Sequence, residues 1–336
     1  MTRAITVTET IRSEPFDRPD RVVERDEARL FEAPPAAAIR FLGPPLPPLA
    51  VYTIPMTYRP VPFSRPEGVF EGPTLRLEWQ TMTGRQPFYH RNADVDEIGY
   101  QICGERALIT ECGTVHFKPG QFARIPVDVA HDNHGVEDIH LIFYLHGPAL
   151  PAIAPIDHGR HTIPPFAGWQ AAPMLEVMTN AMGAPGGTIA YSMADETLLL
   201  DAAVHCADPL EVLEPRAPAG ETEWLYRAPK VWIGHTALDR TNERRYLRRP
   251  CADEIQFQAA GTRTIVSQRG VVTLEPGDFT CIPRGCAYAN LTDGGSRHLS
   301  LLTVETVPPV TAPSRSADPD VAGWLAAAAP RKVLAR

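Results

Sequence analysis

Two histidines and a glutamate have the residue types and spacing that predict a metal site. His90 and Asn92 alternate along one predicted strand, so both side chains point to the same face. Glu97 follows on the next strand, and His131 comes after two further strand-sized segments. Two imidazoles and one carboxylate that converge form a facial triad, which leaves metal positions open and is diagnostic of non-haem Fe(II) oxygenases. We therefore predict His90, Glu97 and His131 as metal ligands.

Other residues of the same segments are candidates for the site. Asp94 and Asp96 are alternative carboxylate ligands, and Glu97 is preferred because an internal repeat and the spacing to Gly104 both mark its position. His134 follows the last ligand by three residues. It is either a proton shuttle and partner of the ligands or a histidine on a surface loop.

Gln101 and Tyr144 complete the predicted catalytic set with His134. Gln101 has the strand parity of Glu97, so we expect it to face the pocket and hydrogen-bond a substrate oxygen. Tyr144 shares one face of the segment 140–146 with His140, and these two side chains either line the pocket or pack at the strand edge.

An internal repeat organises the elements that must position these residues. Residues 96–126 align with residues 253–283 without a gap, and 13 of the 31 aligned positions are identical. About two identities are expected from average residue usage. Arg106 aligns with Arg263, which indicates a structural role for this arginine. The chain therefore contains two copies of one supersecondary unit.

The second copy lacks most of the predicted ligands. The positions of the first histidine, the asparagine and the last histidine are taken by Leu247, Arg249 and Tyr288, and only the glutamate is retained, as Glu254. One carboxylate without an imidazole is a poor metal site. We therefore predict a metal-free second copy, in which Glu254, Gln258 and Tyr288 form a hydrogen-bonded polar core.

The sequence pattern of the repeated unit predicts β-strands. Apolar and polar residues alternate over residues 114–118, and Pro-Gly dipeptides at 119–120 and 276–277 predict turns. The chain has 35 prolines in 336 residues, which favours short strands over long helices. We expect short helices at 170–182 and 318–329. The predicted divisions are a proline-rich arm at 1–70, a metal-binding barrel at 71–147, a connector at 148–222, a second barrel at 223–312 and a C-terminal helix or tail at 313–336.

The motif order resembles that of the cupin superfamily. His90-x-Asn92-x4-Glu97-x6-Gly104 is followed by Pro-Gly at 119–120, Ile-Pro at 125–126 and His131, which is similar to the two cupin motifs, with Asn92 where many cupins have a second histidine. Because the pattern recurs, the resemblance implies a bicupin, an all-β protein of two small jelly-roll-like cupin barrels.

Two short segments are most similar to the homogentisate 1,2-dioxygenase group and, more distantly, to gentisate dioxygenases. They are HRNADVDE at 90–97 and RRPCADE at 248–254. The resemblance implies an Fe(II)-dependent, ring-cleaving dioxygenase that acts on a dihydroxylated or hydroxy-carboxylated aromatic compound and dioxygen, as a homo-oligomer. That group holds iron in its C-terminal cupin, whereas here the intact motif is in the N-terminal copy. The alternatives are a cupin isomerase, lyase or decarboxylase that uses Mn, Ni or Zn, or a non-catalytic bicupin that binds a small molecule.

Composition argues against several other classes of protein. The net charge of -8 gives no basic footprint for nucleic acid, and no stretch approaches the ~20 apolar residues of a membrane span. The first 20 residues are charged and show no secretory signal. The six cysteines form no Cys-x-x-Cys pair, so we expect reduced thiols and a cytoplasmic protein.

Overall fold

The structure, a computed structural model, describes residues 6–35, 38, 41, 46–182 and 187–328. Strands dominate these residues, and the predicted all-β architecture of two barrels is confirmed. In the first half the elements are β1 (Thr6–Ile11), β2 (Arg21–Asp26), α1 (Glu27–Leu30), β3 (Ala50–Thr53), β4 (Glu67–Glu71), β5 (Leu75–Arg85), β6 (Tyr89–Asn92), β7 (Asp96–Thr110), β8 (Gly113–Phe117), β9 (Phe122–Ile125), β10 (His131–Leu145), β11 (Leu150–Pro151) and β12 (Asp157–His158).

The second half continues in the same manner, with few helices. Its elements are β13 (Pro173–Asn180), β14 (Gly187–Asp195), α2 (Glu196–Asp201), a 3₁₀ turn (Ala202–His205), β15 (Glu211–Leu213), β16 (Thr222–Arg227), β17 (Val231–Leu238), β18 (Tyr246–Arg248), β19 (Asp253–Ala260), β20 (Arg263–Ser267), β21 (Gly270–Leu274), β22 (Asp278–Ile282), β23 (Ala287–Leu291), β24 (Ser296–Thr303), β25 (Arg315–Ser316) and α3 (Val321–Ala328).

The first barrel is one continuous sheet whose two longest strands bend around the interior. Its strand order is β12-β15-β9-β7-β10-β6-β13-β14, with β5 on β10, β4 on β5 and β8 on β7. Both β7 and β10 have 15 residues, and their pairing is interrupted by an irregularity between Val136 and His140. At that bend Gly104 has φ 70°, which a side chain would strain. The bend lets one strand contribute to both halves of the barrel wall.

The second barrel consists of two sheets. One has the order β2-β1-β18-β23-β20-β21 and the other β11-β16-β17-β24-β19-β22-β3-β25. Its β19 and β20 take the place of β7, and Gly261 stands at the break with φ 67°. The repeated glycine in the sequence thus marks the same turn in both barrels.

The N-terminal arm binds both barrels rather than standing free. Strand β1 pairs in parallel with β18, β3 pairs with β22, and β4 pairs with β5. An apolar core joins the barrels, where Tyr100 of the first lies against Phe257 of the second with ring centroids 6.5 Å apart. Burial of these large apolar side chains stabilises the contact between the two halves.

The helix predicted at 170–182 is wrong. Pro173–Asn180 is β13, which pairs in parallel with β6 and antiparallel with β14. The open edge of β6 supplies hydrogen-bond partners that outweigh the weak helical preference of this short apolar run. The segment 148–222 instead contains the short helix α2, capped by the Asp195 carboxylate. At the C-terminus, α3 lies within the predicted range 318–329, of which residue 329 is outside the described residues.

Candidate metal centre

Three neighbouring strands bring the predicted ligands together. His90 is on β6, Glu97 is near the start of β7, and His131 is the first residue of β10. His131 lies directly opposite His90 in the antiparallel pair of β10 and β6. One ligand atom from each of the three residues lies within 4.8 Å of the other two, and the imidazole centroids are 5.2 Å apart. This is the size of group that holds one metal ion.

Hydrogen bonds orient both imidazoles. His131 Nδ1 lies 3.1 Å from the Val129 carbonyl oxygen, which leaves Nε2 directed at Glu97 Oε2, 3.5 Å away. His90 Nε2 lies 2.5 Å from the hydroxyl of Thr179 on β13. Burial lowers the pKa of both histidines to about 4, so both rings are neutral at pH 7. A neutral imidazole has the lone pair that a metal ion requires.

The surroundings of Glu97 fit a divalent cation. Asn92 Nδ2 donates to Glu97 Oε2 at 2.9 Å, while the buried Asn92 Oδ1 has no hydrogen-bond partner among the described residues. No lysine or arginine of the described residues forms an ion pair with this carboxylate. A buried carboxylate beside two neutral imidazoles and an unpaired amide oxygen is a donor set that a metal ion would satisfy.

The three ligands open on a cavity of about 720 Å³ between β5, β10 and β13. Tyr144 lines this cavity, together with His140 and Ile142 of the same strand face. Burial raises the pKa of the Tyr144 hydroxyl well above 10, so it stays protonated. The other lining residues are Phe63, Arg65, Pro66, Arg76, Glu78, Gln80, Gln86, Phe88, Asn92, Asn133, Leu175, Val177, Thr179, Asn180 and Ala181.

Two of the predicted catalytic residues do not line this cavity. His134 stacks on Phe166 with ring centroids 4.1 Å apart, because a three-residue step from His131 turns it to the opposite face of the strand. The role of proton shuttle beside the ligands does not fit this position. Gln101 is buried, and its amide donates to the Cys103 carbonyl oxygen at 2.7 Å and to Asp138 Oδ1 at 2.6 Å. Its predicted contact with a substrate oxygen does not fit either.

Sequence reasoning missed one whole wall of the cavity. Arg76, Glu78 and Gln80 alternate along β5 with Leu75, Leu77 and Trp79, which pack into the apolar core between the barrels. The polar alternation in LRLEWQ was a signal for this wall. Thr179 had no such signal, because its position depends on the pairing of β13 with β6.

In the second barrel Arg249 occupies the position that Asn92 has in the first barrel. Arg249 Nε lies 3.1 Å from Glu254 Oε2, and the Tyr288 hydroxyl donates to the same oxygen at 2.6 Å. Gln256 Nε2 donates to Glu254 Oε1 at 3.0 Å. The guanidinium charge and the two hydrogen bonds lower the pKa of Glu254, although burial opposes them. The carboxylate is thus satisfied by side chains of this barrel.

The chain was also compared with known proteins. No protein-family model and no curated protein sequence matches it. Among solved structures, a cupin 2 conserved barrel domain protein from Leptotrichia buccalis is similar, at 9% identity over 72% of this chain and 90% of that one, with a TM-score of 0.44. An oxalate decarboxylase is similar at 10% identity over 80% and 81%, with a TM-score of 0.44. A variant of Bacillus subtilis oxalate decarboxylase is similar at 12% identity over 78% of this chain and 79% of that one, with a TM-score of 0.42.

Within the part of the chain that the structure describes, no helix has the length and apolarity to cross a membrane.

Proposed function

We propose that this protein is a non-haem Fe(II) dioxygenase that cleaves the ring of a small, anionic aromatic compound in the cavity of its first barrel. The proposal rests on the group of two histidines and one glutamate that lines the cavity, with ligand atoms within 4.8 Å of one another. This ligand set is diagnostic of non-haem Fe(II) oxygenases. When bound there, iron would supply adjacent positions for substrate oxygens and dioxygen.

The cavity walls support an aromatic substrate that carries a negative charge. Phe63 and Phe88 meet edge to face at 5.7 Å, and both line the cavity with Tyr144. Arg65 lines it too, is exposed, and has no ion-pair partner among the described residues. Aromatic side chains favour a flat ring, and a free guanidinium favours a carboxylate. A dihydroxylated or hydroxy-carboxylated aromatic acid meets both requirements.

The side chains of this chain hold the substrate rather than oxidise it. Tyr144 keeps its proton and faces the cavity, so it is able to donate a hydrogen bond to a substrate oxygen. The guanidinium of Arg76 is paired with Glu78 and lies 5.8 Å from the Tyr144 ring centroid. This cation–π contact holds the tyrosine ring in the cavity wall.

One observation favours a second function, a redox-neutral reaction of the isomerase, lyase or decarboxylase class. The unpaired Asn92 Oδ1 beside Glu97 offers a fourth donor. Four protein ligands would leave an octahedral ion two free positions, enough for a chelating substrate but not for dioxygen as well. Mn, Ni and Zn tolerate such a mixed oxygen and nitrogen set.

Oxygen uptake separates the two functions. The Fe(II)-loaded protein is mixed with catechols, gentisate or homogentisate in an oxygen electrode, and substrate loss is followed in parallel. We expect oxygen and substrate to disappear together, and His131→Ala to abolish both. His134→Gln is the matched control, because His134 lies outside the cavity and should retain turnover. Substrate loss without oxygen uptake supports the redox-neutral function, and activity in His131→Ala contradicts both.

A further inference from the structure

A second chemical group faces the cavity and is not part of the ligand set. His140 lines the cavity, and its Nδ1 lies 2.8 Å from Asp138 Oδ2. The other carboxylate oxygen of Asp138 accepts from Gln101 Nε2 at 2.6 Å. All three side chains are at most 1% exposed. Because Nδ1 is bound to the carboxylate, Nε2 is the ring nitrogen left for a cavity ligand.

The second barrel shows what this arrangement looks like without the carboxylate. His140 pairs with Gln101 across β10 and β7, and His298 pairs with Gln258 across β24 and β19. There Gln258 Nε2 donates to the Ser296 hydroxyl at 2.9 Å, so a serine stands where the first barrel has Asp138.

The difference matters for the histidine. His298 Nδ1 is buried and has no hydrogen-bond partner among the described residues. The same barrel framework therefore holds a histidine at this position without an acid. A buried carboxylate costs free energy, and at this position it appears only in the copy that also has the metal ligands, as Asp138. The contact of Asp138 with the His140 imidazole is thus better explained by a role in the reaction than by a role in folding.

We propose that His140 is a catalytic base that removes a proton from a hydroxyl group of the bound substrate, with Asp138 as its positioning residue. This inference rests on the proposed function. The substrate O–H bond breaks, an N–H bond forms at Nε2, and the electron pair remains on the oxygen as a phenolate. Asp138 stabilises the imidazolium that results, as the acid does in a Ser-His-Asp triad. The step needs no oxidant.

The charges around His140 are consistent with a base. Burial lowers its pKa, so the ring is neutral at pH 7 and is able to accept a proton. Arg106 of β7 lowers the pKa further, whereas Asp138 and Glu97 raise it. On the other side, β5 presents the uncharged Gln80 opposite His140. Protonation during the reaction is thus supported by Asp138, since Glu97 would be bound to the metal ion.

The test uses 4-nitrocatechol, whose absorption spectrum reports how many of its phenolic protons have been lost. Zn(II)-loaded protein binds the probe without redox chemistry. We expect the wild-type protein to bind the dianion at neutral pH. In His140→Gln and Asp138→Asn, the second ionisation should need a pH higher by roughly 1 unit or more. His298→Gln is the matched control in the second barrel and should leave the spectrum unchanged.

Metal content is measured on every variant. Equal spectra in wild type and His140→Gln overturn the inference, and loss of zinc in His140→Gln also overturns it, because the residue would then support the metal site. Failure of the zinc-loaded wild type to bind the probe contradicts the proposed substrate class itself, and the inference falls with it. A spectral change in His140→Gln with retained zinc supports the inference.

Discussion

At the scale of single residues, the two aligned glutamates differ in what satisfies them. Glu254 is bound by Arg249, Tyr288 and Gln256, whereas Glu97 has an amide hydrogen bond and a neutral imidazole. A buried ion pair is costly to break from one side, by about 3 kcal/mol or more. Without metal, the Glu97 carboxylate has no comparable partner to lose.

We therefore predict that the same substitution has a large effect on stability in the second copy and a small effect in the first. Glu254→Gln should lower the free energy of unfolding by about 3 kcal/mol, because it removes the fully buried carboxylate of this ion pair and leaves the Arg249 guanidinium with Glu14 as its remaining partner. Glu97→Gln in metal-free protein should change it by less than about 1 kcal/mol, because an uncharged amide costs less to bury. Urea unfolding of the two variants measures both. A large loss in metal-free Glu97→Gln would mean that this glutamate has a structural role.

The candidate ligands could be predicted because the first two lie on consecutive strands, β6 and β7, and the third follows at the spacing of a known motif. His90 and Glu97 lie within one short motif, and His131 begins the strand that closes the group. The roles of Gln101 and His134 could not be predicted, because parity along a strand does not show which face is lined by a cavity. Asp138 lies beside the irregular pairing at the bend of β10, which no sequence pattern showed.

At the scale of elements, the hairpin of β13 and β14 completes the metal centre. Strand β13 extends the sheet beside β6, and Thr179 is paired with Asn92 in that register. The strand thus brings the Thr179 hydroxyl to His90 Nε2. The local sequence suggested a helix here, since strand pairing with β6 is a long-range contact that a window of 13 residues does not contain.

Thr179→Val should weaken metal binding without unfolding the barrel. The substitution keeps the shape of the side chain but removes the hydrogen bond that orients the His90 ring. Loss of such a partner costs about 10-fold to 100-fold in metal affinity. Competition with a chromophoric chelator measures the change. Glu176→Gln is the control on the same strand, because Glu176 contacts Arg91 instead of the ligands, and an equal loss there would assign the effect to the strand as a whole.

At the scale of the whole molecule, burial of neutral histidines makes stability depend on pH. His298 is fully buried in the second barrel, and burial lowers its pKa well below 6.5. The unfolded chain therefore binds a proton that the folded chain does not, so the free energy of unfolding falls as pH drops below about 6.5. This contribution is fully present above that pH.

His298→Gln should flatten this dependence. Between about pH 7.5 and pH 5.5 the free energy of unfolding of the wild-type protein should fall by roughly 1 kcal/mol more than that of the variant. This is the contribution of one group at about one pH unit below its pKa in the unfolded chain. Urea unfolding at both pH values measures the difference. His158→Gln, at an exposed position, should behave as wild type. If the free energy of unfolding changes with pH equally in His298→Gln and wild type, His298 does not contribute to the pH dependence of stability.

The two barrels thus share a fold and have diverged in their interiors. The first has two histidines beside a glutamate, and all three line a cavity, whereas the second satisfies the aligned glutamate with an arginine and a tyrosine. We therefore expect this chain to bind one metal ion, in the first barrel, through Glu97.

Elemental mass spectrometry of protein purified without oxygen measures this metal content. Wild-type protein is compared with Glu97→Gln and with the matched variant Glu254→Gln. We predict about one metal ion per chain in wild type and in folded Glu254→Gln, and none in Glu97→Gln, because the carboxylate is one of three protein ligands. Wild-type protein that holds no metal after reconstitution with Fe(II), Mn, Ni or Zn would contradict a metal centre in the first barrel, and metal that persists in Glu97→Gln would contradict Glu97 as a ligand.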